Sequence, residues 1–312
     1  MSPNPLWLVL PTALSGCLIL EDAPISVDRA ERLEANDDFE SVGVSNQAAC
    51  AISEDGLISC FGRDTGNDGV IEVPDQDFVA VAGSSGPQAL FCGITSGDKL
   101  RCWGRRKGKA NPVKKEPSDE AGWQAVTVGD RHACALDESG HATCWGDEDV
   151  HQLEVPDETF VKIEAAADHT CGLTTGWKVR CWGGGDAPPP FLSFLEGETA
   201  RNLAVGEDFG CTSTLTGSSS HFACYVDTGD AYFGVPEILY VEEIEAGNRH
   251  FCALTATGEI TCYGADDHDQ REVPEVDSAF SALSVGYEGA CAVADGAVRC
   301  WGIMPQPRRA GY

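Results

Sequence analysis

Between residues 39 and 302 one arrangement of apolar and polar positions returns about every 40 residues, seven times in all. A copy reads roughly F-x-x-V-x-x-G-x-x-H-x-C-A-L-x-x-x-G-x-x-x-C-W-G and runs on into an acidic loop that ends in V-P. The third copy shows it best, from Trp123 through Val128, Gly129, His132, Cys134, Leu136, Gly140, Cys144, Trp145 and Gly146 to Val155-Pro156. Its first segment, like Arg201–Val205 in the fifth copy, alternates apolar and polar residues, the period of a half-buried strand. The second half of each copy predicts a hairpin. Three short strands cannot bury both faces of their own sheet, and radial stacking of the copies solves that problem.

Cysteine spacing fixes the hairpin register. Fourteen cysteines form seven pairs: Cys50 with Cys60, Cys92 with Cys102, Cys134 with Cys144, Cys171 with Cys181, Cys211 with Cys224, Cys252 with Cys262, and Cys291 with Cys300. Placing Cys134 opposite Cys144 sets Leu136 against Ala142 and leaves Glu138-Ser139-Gly140 as the loop, with Gly140 at the left-handed position such loops require. Glu54-Asp55-Gly56 and Ala256-Thr257-Gly258 follow the same rule. The seventh copy is one residue shorter and leaves only Asp295-Gly296, the chemistry of a two-residue type I′ turn. In the fifth, Gly217-Ser218-Ser219-Ser220 is expected to lengthen the loop. Directly opposed residues have Cα atoms about 4.5–5.5 Å apart, within disulfide range, so each pair is expected to staple its own hairpin. A zinc site would need close C-x₂₋₄-C ligand pairs, which this spacing lacks.

The remaining cysteine, Cys17, follows a short apolar stretch, Leu6–Leu14, in the sequence Leu-Ser-Gly-Cys. That segment is too short and too proline-broken to span a bilayer. It resembles a bacterial lipoprotein signal, which implies cleavage before Cys17 and acylation of its thiol, although Met1–Pro5 carries no Lys or Arg. The alternative is a buried thiol in an N-terminal strand. The organisation expected is a signal peptide at 1–16, the lipidated Cys17 and an acidic tether at 17–38, a propeller at 39–302 and a tail at 303–312. Leu18 is compatible with outer-membrane sorting, and the resemblance places the protein in the bacterial cell envelope, periplasmic or surface-exposed.

Composition then narrows the function. Lys plus Arg number 21 against 50 Asp plus Glu, for a formal charge of −29 that repels phosphate backbones, so a nucleic-acid partner is not expected. Fifteen cysteines point to an oxidising compartment. One basic segment, Arg101, Arg105, Arg106, Lys107, Lys109, Lys114 and Lys115, interrupts the acidic background and is read as a solvated loop or an anion-docking site.

The G-x-x-H-x-C-A-L runs (Gly129–Leu136 and Gly247–Leu254) and the C-W-G endings (Cys102–Gly104, Cys144–Gly146, Cys181–Gly183 and Cys300–Gly302) carry a family resemblance. Residues 39–302, about 85% of the chain, resemble the regulator of chromosome condensation superfamily in a short-repeat form, similar to the propeller-type beta-lactamase inhibitory protein. The resemblance implies an all-β, seven-bladed propeller. It implies little about function, because members include exchange factors and inhibitors and a fold does not carry an activity.

Candidate chemistry is weighed against the repeat itself. His132, His169 and His250 occupy a slot that other copies fill with Ala48, Leu90, Phe209 and Gly289, which argues for structural hydrogen bonding over metal binding or catalysis. Trp103, Trp145, Trp182 and Trp301, with Phe61, Tyr225 and Tyr263 as substitutes, read as blade packing. Asp64–Gly69 lacks the ligands of a calcium loop, and no G-x-S-x-G, Walker loop or H-E-x-x-H is present. What differs between copies is the turn after the first strand: Asn46-Gln47, Asp130-Arg131, Ala167-Asp168, Glu207-Asp208, Asn248-Arg249 and Tyr287-Glu288, with a longer Ser84–Pro87 in the second copy. These turns are expected to ring one mouth of the channel and to bind a protein partner. Trp177, Phe191, Phe194, Tyr232 and Phe233 are further candidate anchors.

The leading expectation is therefore a monomeric, membrane-tethered, extracytoplasmic protein-interaction module without cofactor or metal. The alternatives are a hydrolase or lyase using mouth carboxylates such as Asp168, Glu207 and Asp208, or a glycan-binding surface protein.

Overall fold

The structure, a computed structural model, describes residues 38–62, 73–87, 89–104, 116–117, 122–216, 219–226, 238–239 and 241–304. Cys17 and its flanking segments, Asp64–Gly69, residues 105–115, Tyr232, Phe233 and residues 305–312 lie outside the described residues.

Seven separate antiparallel sheets follow one another along the chain, each ordered inner, middle, outer strand. The inner strands are Phe39–Ser45, Phe78–Gly83, Trp123–Val128, Phe160–Ala166, Asn202–Val205, Val241–Ala246 and Phe280–Val285. In six blades the inner strand carries a bulge directly after its first residue, for example between Phe160 and Lys162. A bulge bends a strand and increases its twist. The bent start delivers its backbone to the neighbouring blade: the amides of Phe78, Phe160 and Phe280 donate to the hairpin-glycine carbonyls of Gly56 (2.8 Å), Gly140 (2.8 Å) and Gly258 (3.0 Å).

The ring closes by that same bond, from the Phe39 amide to the Gly296 carbonyl at 2.9 Å. The last sheet takes all its strands from the C-terminal copy, so no strand is exchanged at the seam. The Val44 amide donates to Ser284 Oγ (3.0 Å) across it, and Phe39, Val42 and Val44 share an apolar cluster with Cys291, Val293 and Met304.

All seven cysteine pairs are disulfides within one blade, from Cys50 with Cys60 in the first to Cys291 with Cys300 in the last, with Cα atoms 4.0–4.1 Å apart. In blade six Cys252 is bonded to Cys262, and both are buried in the apolar cluster that joins this blade to Phe280 and Leu283 of the next. Gly56, Gly140 and Gly258 are left-handed as the register demands, and Asp295 and Gly296 both have positive φ (53° and 68°), which makes the short turn type I′. In blades two and four the glycine stands one place earlier, and Asp98 and Trp177 take the left-handed position instead (φ 58° and 61°).

Blade five departs from expectation. Its two strands, Phe209–Thr216 and Ser219–Val226, pair through to Thr216 and Ser219, so the inserted residues extend the ladder rather than the loop. Pairing satisfies backbone groups that a four-residue loop would leave to water. A further short strand, Ile238–Leu239, adds to that extension.

Trp103, Trp145, Trp182 and Trp301 are buried between blades, Trp103 against Phe78 and Phe91 with centroids 5.4 and 5.8 Å away. Phe61, Tyr225 and Tyr263 fill the equivalent place and are partly buried.

Candidate binding site: the propeller mouth and channel

The turns between inner and middle strands stand in a circle, and at three blade boundaries the backbones of neighbouring turns are bonded to each other. The Asp130 amide donates to Ala167 O (2.9 Å), the Glu207 amide to Asn248 O (3.2 Å) and the Asn248 amide to Tyr287 O (3.2 Å). The glycine of G-x-x-H permits this contact: a Cβ on Gly247 would strike the carbonyl oxygen of Gly286 in the next blade. The frame is thus held from blade to blade while the side chains on it differ.

Carboxylates dominate that frame. Arg131 is pinned by Asp147 (2.7 Å) and Asp168 (3.4 Å), and Arg249 by Asp267 (2.8 Å). Partial burial, and then the charges of Asp208, Asp130 and Asp168, push the Glu207 carboxyl above its ordinary value, with only Arg249 opposing. Burial and then Glu207 and Glu288 likewise raise the Tyr287 hydroxyl. Asn46 donates to Pro87 O (2.5 Å), tying blade one to the long second turn, and Gln47 is left-handed (φ 56°). Asn248 is only 7% exposed, and Ser84 and Ser85 of the second turn are buried as well, so these three present less to a partner than the other turn residues do.

The repeated histidines are internal. His132 Nε2 lies 2.7 Å from Thr170 Oγ1 and His169 Nε2 3.1 Å from Gly206 O, each reaching the following blade. His250 has no hydrogen-bond partner for either ring nitrogen among the described residues, because Ala290 stands where Thr170 stands for His132. Burial leads in lowering all three, to about 3 for His132 and about 4 for His169 and His250.

Below the turns the inner strands enclose an open cavity of about 370 Å³, and the sequence pattern alone does not reveal its charges. Lys162 Nζ lies 3.0 Å from Glu164 on its own strand and 3.6 Å from Glu245 in blade six. It also donates to Asn202 Oδ1 (3.5 Å) and Ile244 O (3.3 Å), so one ammonium braces three blades. Burial pulls its pKa down, but Glu164, Glu245 and Glu243 outweigh that and hold it above the ordinary lysine value. Burial and neighbouring carboxylates raise Glu243 and Glu245. Lys162→Met leaves these carboxylates uncompensated, and a loss of about 3 kcal/mol is expected. Urea unfolding at pH 7.5 measures it. The loss should shrink toward pH 5 as the raised carboxyls take up protons, and a loss independent of pH would contradict the assignment.

Elsewhere, Phe191 is fully buried beneath the short helix Pro190–Leu195 and is no anchor. Phe194 (42% exposed) stacks on Tyr225 at 5.8 Å, and Trp177 (36%) carries Arg201 over its ring at 4.1 Å. Of the basic segment, Arg101 is described, and it donates to Leu100 O (2.6 Å). Among the described residues no group of three or more His, Cys, Asp or Glu is placed to hold a metal ion. No helix among them is long and apolar enough to cross a membrane.

Two blades match a known repeat. Residues 123–152 and 241–270 match the family model of the Regulator of chromosome condensation (RCC1) repeat. Both matches end on a glutamine, Gln152 and Gln270, that is buried and accepts a loop amide two residues back (2.9 and 2.8 Å). The CRINKLY ectodomain of the Arabidopsis thaliana receptor kinase ACR4 is similar at 20% identity and TM-score 0.66, covering 86% of this chain and 96% of that one. Yeast RCC1 (Prp20), in a structure with Kap60, is similar at 14% identity and TM-score 0.62, with 88% and 82% covered. The serine/threonine-protein kinase-like protein CCR2 of Arabidopsis thaliana is 23% identical over 232 residues, 68% of this chain. The match spans about a quarter (25%) of that protein's length. At these identities the likeness is one of fold. The chain is a seven-bladed β-propeller with one disulfide in every blade, two of whose blades match the Regulator of chromosome condensation (RCC1) repeat.

Proposed function

We propose that this protein is a membrane-tethered, extracytoplasmic interaction module that binds a protein partner at the turn mouth. The observation that carries the reading is the turn ring itself: backbones of neighbouring turns bonded at three blade boundaries, side chains different in each blade. A rigid scaffold with variable polar turns suits an asymmetric partner and lowers the ordering cost of binding. Seven disulfides favour an oxidising compartment, and the Leu-Ser-Gly-Cys17 sequence favours a lipid anchor there. The yeast relative described above was crystallised with a protein partner, Kap60, and the similar receptor-kinase propeller is an ectodomain.

One experiment tests anchor and mouth together. Cys17→Ser should move the folded protein to the soluble fraction, and this form then serves as bait in a pull-down. Loss of the captured protein on Arg131→Ala or Asp208→Ala supports the mouth, whereas capture indifferent to both substitutions refutes it. A chain that stays membrane-bound with unchanged mass refutes the anchor. The raised Glu207 carboxyl favours a second reading, acid–base catalysis at the mouth, and turnover in a substrate screen lost with Glu207→Gln would establish it.

A further inference from the structure

We infer that the channel behind the turn mouth receives a basic segment of the protein partner, whose lysine or arginine side chain reaches the carboxylates of Glu164, Glu243 and Glu245. The inference rests on the mouth being the protein-binding face, and it adds what chemistry the partner must bring.

Three observations lead there. First, the cavity is one-sided in charge. Glu164 in blade four and Glu243 and Glu245 in blade six line it, and among the described residues Lys162 is the one cation that answers them. Two carboxylates remain without a matching cation there, a costly state in a partly enclosed space. Their raised pKa values report the same deficit.

Second, and independently of charge, Ser85 Oγ lines the same cavity, in a residue only 9% exposed, and has no hydrogen-bond partner among the described residues. Three other hydroxyls there are occupied: Thr127 Oγ1 accepts from the Ala165 amide (2.9 Å), Ser284 Oγ accepts from the Val44 amide, and Ser281 Oγ donates to Val293 O (3.5 Å). A buried hydroxyl without a partner is a site awaiting one.

Third, the remaining lining residues carry no charge, and the surface turned to the cavity is more polar than apolar. Serine hydroxyls and backbone carbonyls in such walls accept hydrogen bonds from an ammonium or guanidinium head. The rim above repeats the sign of the charge. Asp130, Asp168, Glu207, Asp208 and Glu288 outnumber Arg131 and Arg249, both of which already have acidic partners, so approach is favourable for a cation from solvent to floor.

The test is fluorescence anisotropy with the soluble Cys17→Ser chain and a labelled Gly/Ser peptide carrying three lysines, beside the same peptide with norleucine. The lysine peptide should bind and the norleucine peptide should not. Glu243→Gln with Glu245→Gln should weaken binding about tenfold or more, the scale of one desolvated charge-assisted contact. Glu154→Gln with Asp186→Asn removes the same charge from an exposed outer loop and should leave affinity within about twofold. Equal loss in both double variants, or none in the channel variant, overturns the inference. So does binding of Ca²⁺ or putrescine at the channel without binding of the peptide. If the channel double variant melts early, Ser85→Ala, which leaves the Lys162 cluster intact, must weaken the peptide for the inference to stand. A captured partner that is lost with Arg131→Ala but retained by Glu243→Gln/Glu245→Gln refutes the channel and spares the mouth. Channel-dependent peptide binding without any mouth-dependent partner does the reverse.

Discussion

Full reduction of the seven disulfides is expected to unfold the chain at 37 °C. A ten-residue loop contributes up to about 3 kcal/mol per bridge in the chain-entropy account, and less where the hairpin is already local. Even half that figure, taken over seven blades, reaches the about 5–15 kcal/mol by which domains are ordinarily stable. Circular dichroism melts with and without reductant measure the effect, and a Tm unchanged by reductant would contradict it. Non-reducing peptide mapping should return the seven pairs within single blades and leave Cys17 outside the set; a Cys60–Cys92 link would overturn the register. The wide spacing of Cys211 and Cys224 suggests from sequence that blade five opens first. Its hairpin in fact pairs eight positions, against five in blade four, so it should open among the last.

Acid should unfold the protein through its histidines. In the folded state His132, His169 and His250 keep pKa values of about 3, 4 and 4, whereas the unfolded chain binds a proton at each near 6.5. Folded pKa values below the unfolded ones mean that this contribution is complete above pH 6.5 and drains away as pH falls toward 4. Each histidine then costs about 3 kcal/mol. Glu207, Glu243 and Glu245 act in the opposite sense, since raised carboxyls regain stability as pH falls through their folded values, but Glu207 is exposed and its share is small. The Tm should fall steeply between pH 6 and pH 4. His250→Leu borrows the residue that blade two places there, Leu90, and sacrifices no hydrogen bond. It should preserve stability at pH 7.5 and flatten the acid limb, whereas His132→Leu should flatten the limb too but cost stability at pH 7.5, where the bond between its ring and Thr170 is lost. An acid limb identical in His250→Leu and the parent would show that His250 does not titrate on unfolding.

Much of this architecture is written in the sequence because it is written seven times. Period, cysteine spacing and hairpin glycines each repeat, so an error in one copy is corrected by the others. The channel is opaque for the opposite reason. Opposite the cysteine of the G-x-x-H-x-C segment stand Gly43, Ala82, Thr127, Ala204 and Ser284 in five blades, but Glu164 and Glu245 in blades four and six. Likewise Lys162 and Glu243 occupy a slot that is Ser41, Ala80, Ala125 or Ala282 in four other blades and Asn202 in blade five. Small residues at both slots in most copies mark them as channel-facing, and charge in only two copies marks the exception. Reading that requires knowing that blades four and six lie near enough for one lysine to span blade five, which is a property of the ring and not of the repeat. Asn248 and Ser85 are hidden similarly, because polarity in a turn predicts exposure and neighbouring turns bury both.

The seam between last and first blade has an evolutionary meaning. Since Phe39 and Gly296 make the bond that Phe78 and Gly56 make inside the chain, the polypeptide is a circle cut at an ordinary joint. Its starting point is arbitrary: a circular permutant that opens at Phe78 and joins the old ends would present the same joints in the same order. Whole blades, each with its own disulfide, could therefore have been duplicated and reshuffled during descent without inventing a new way to close.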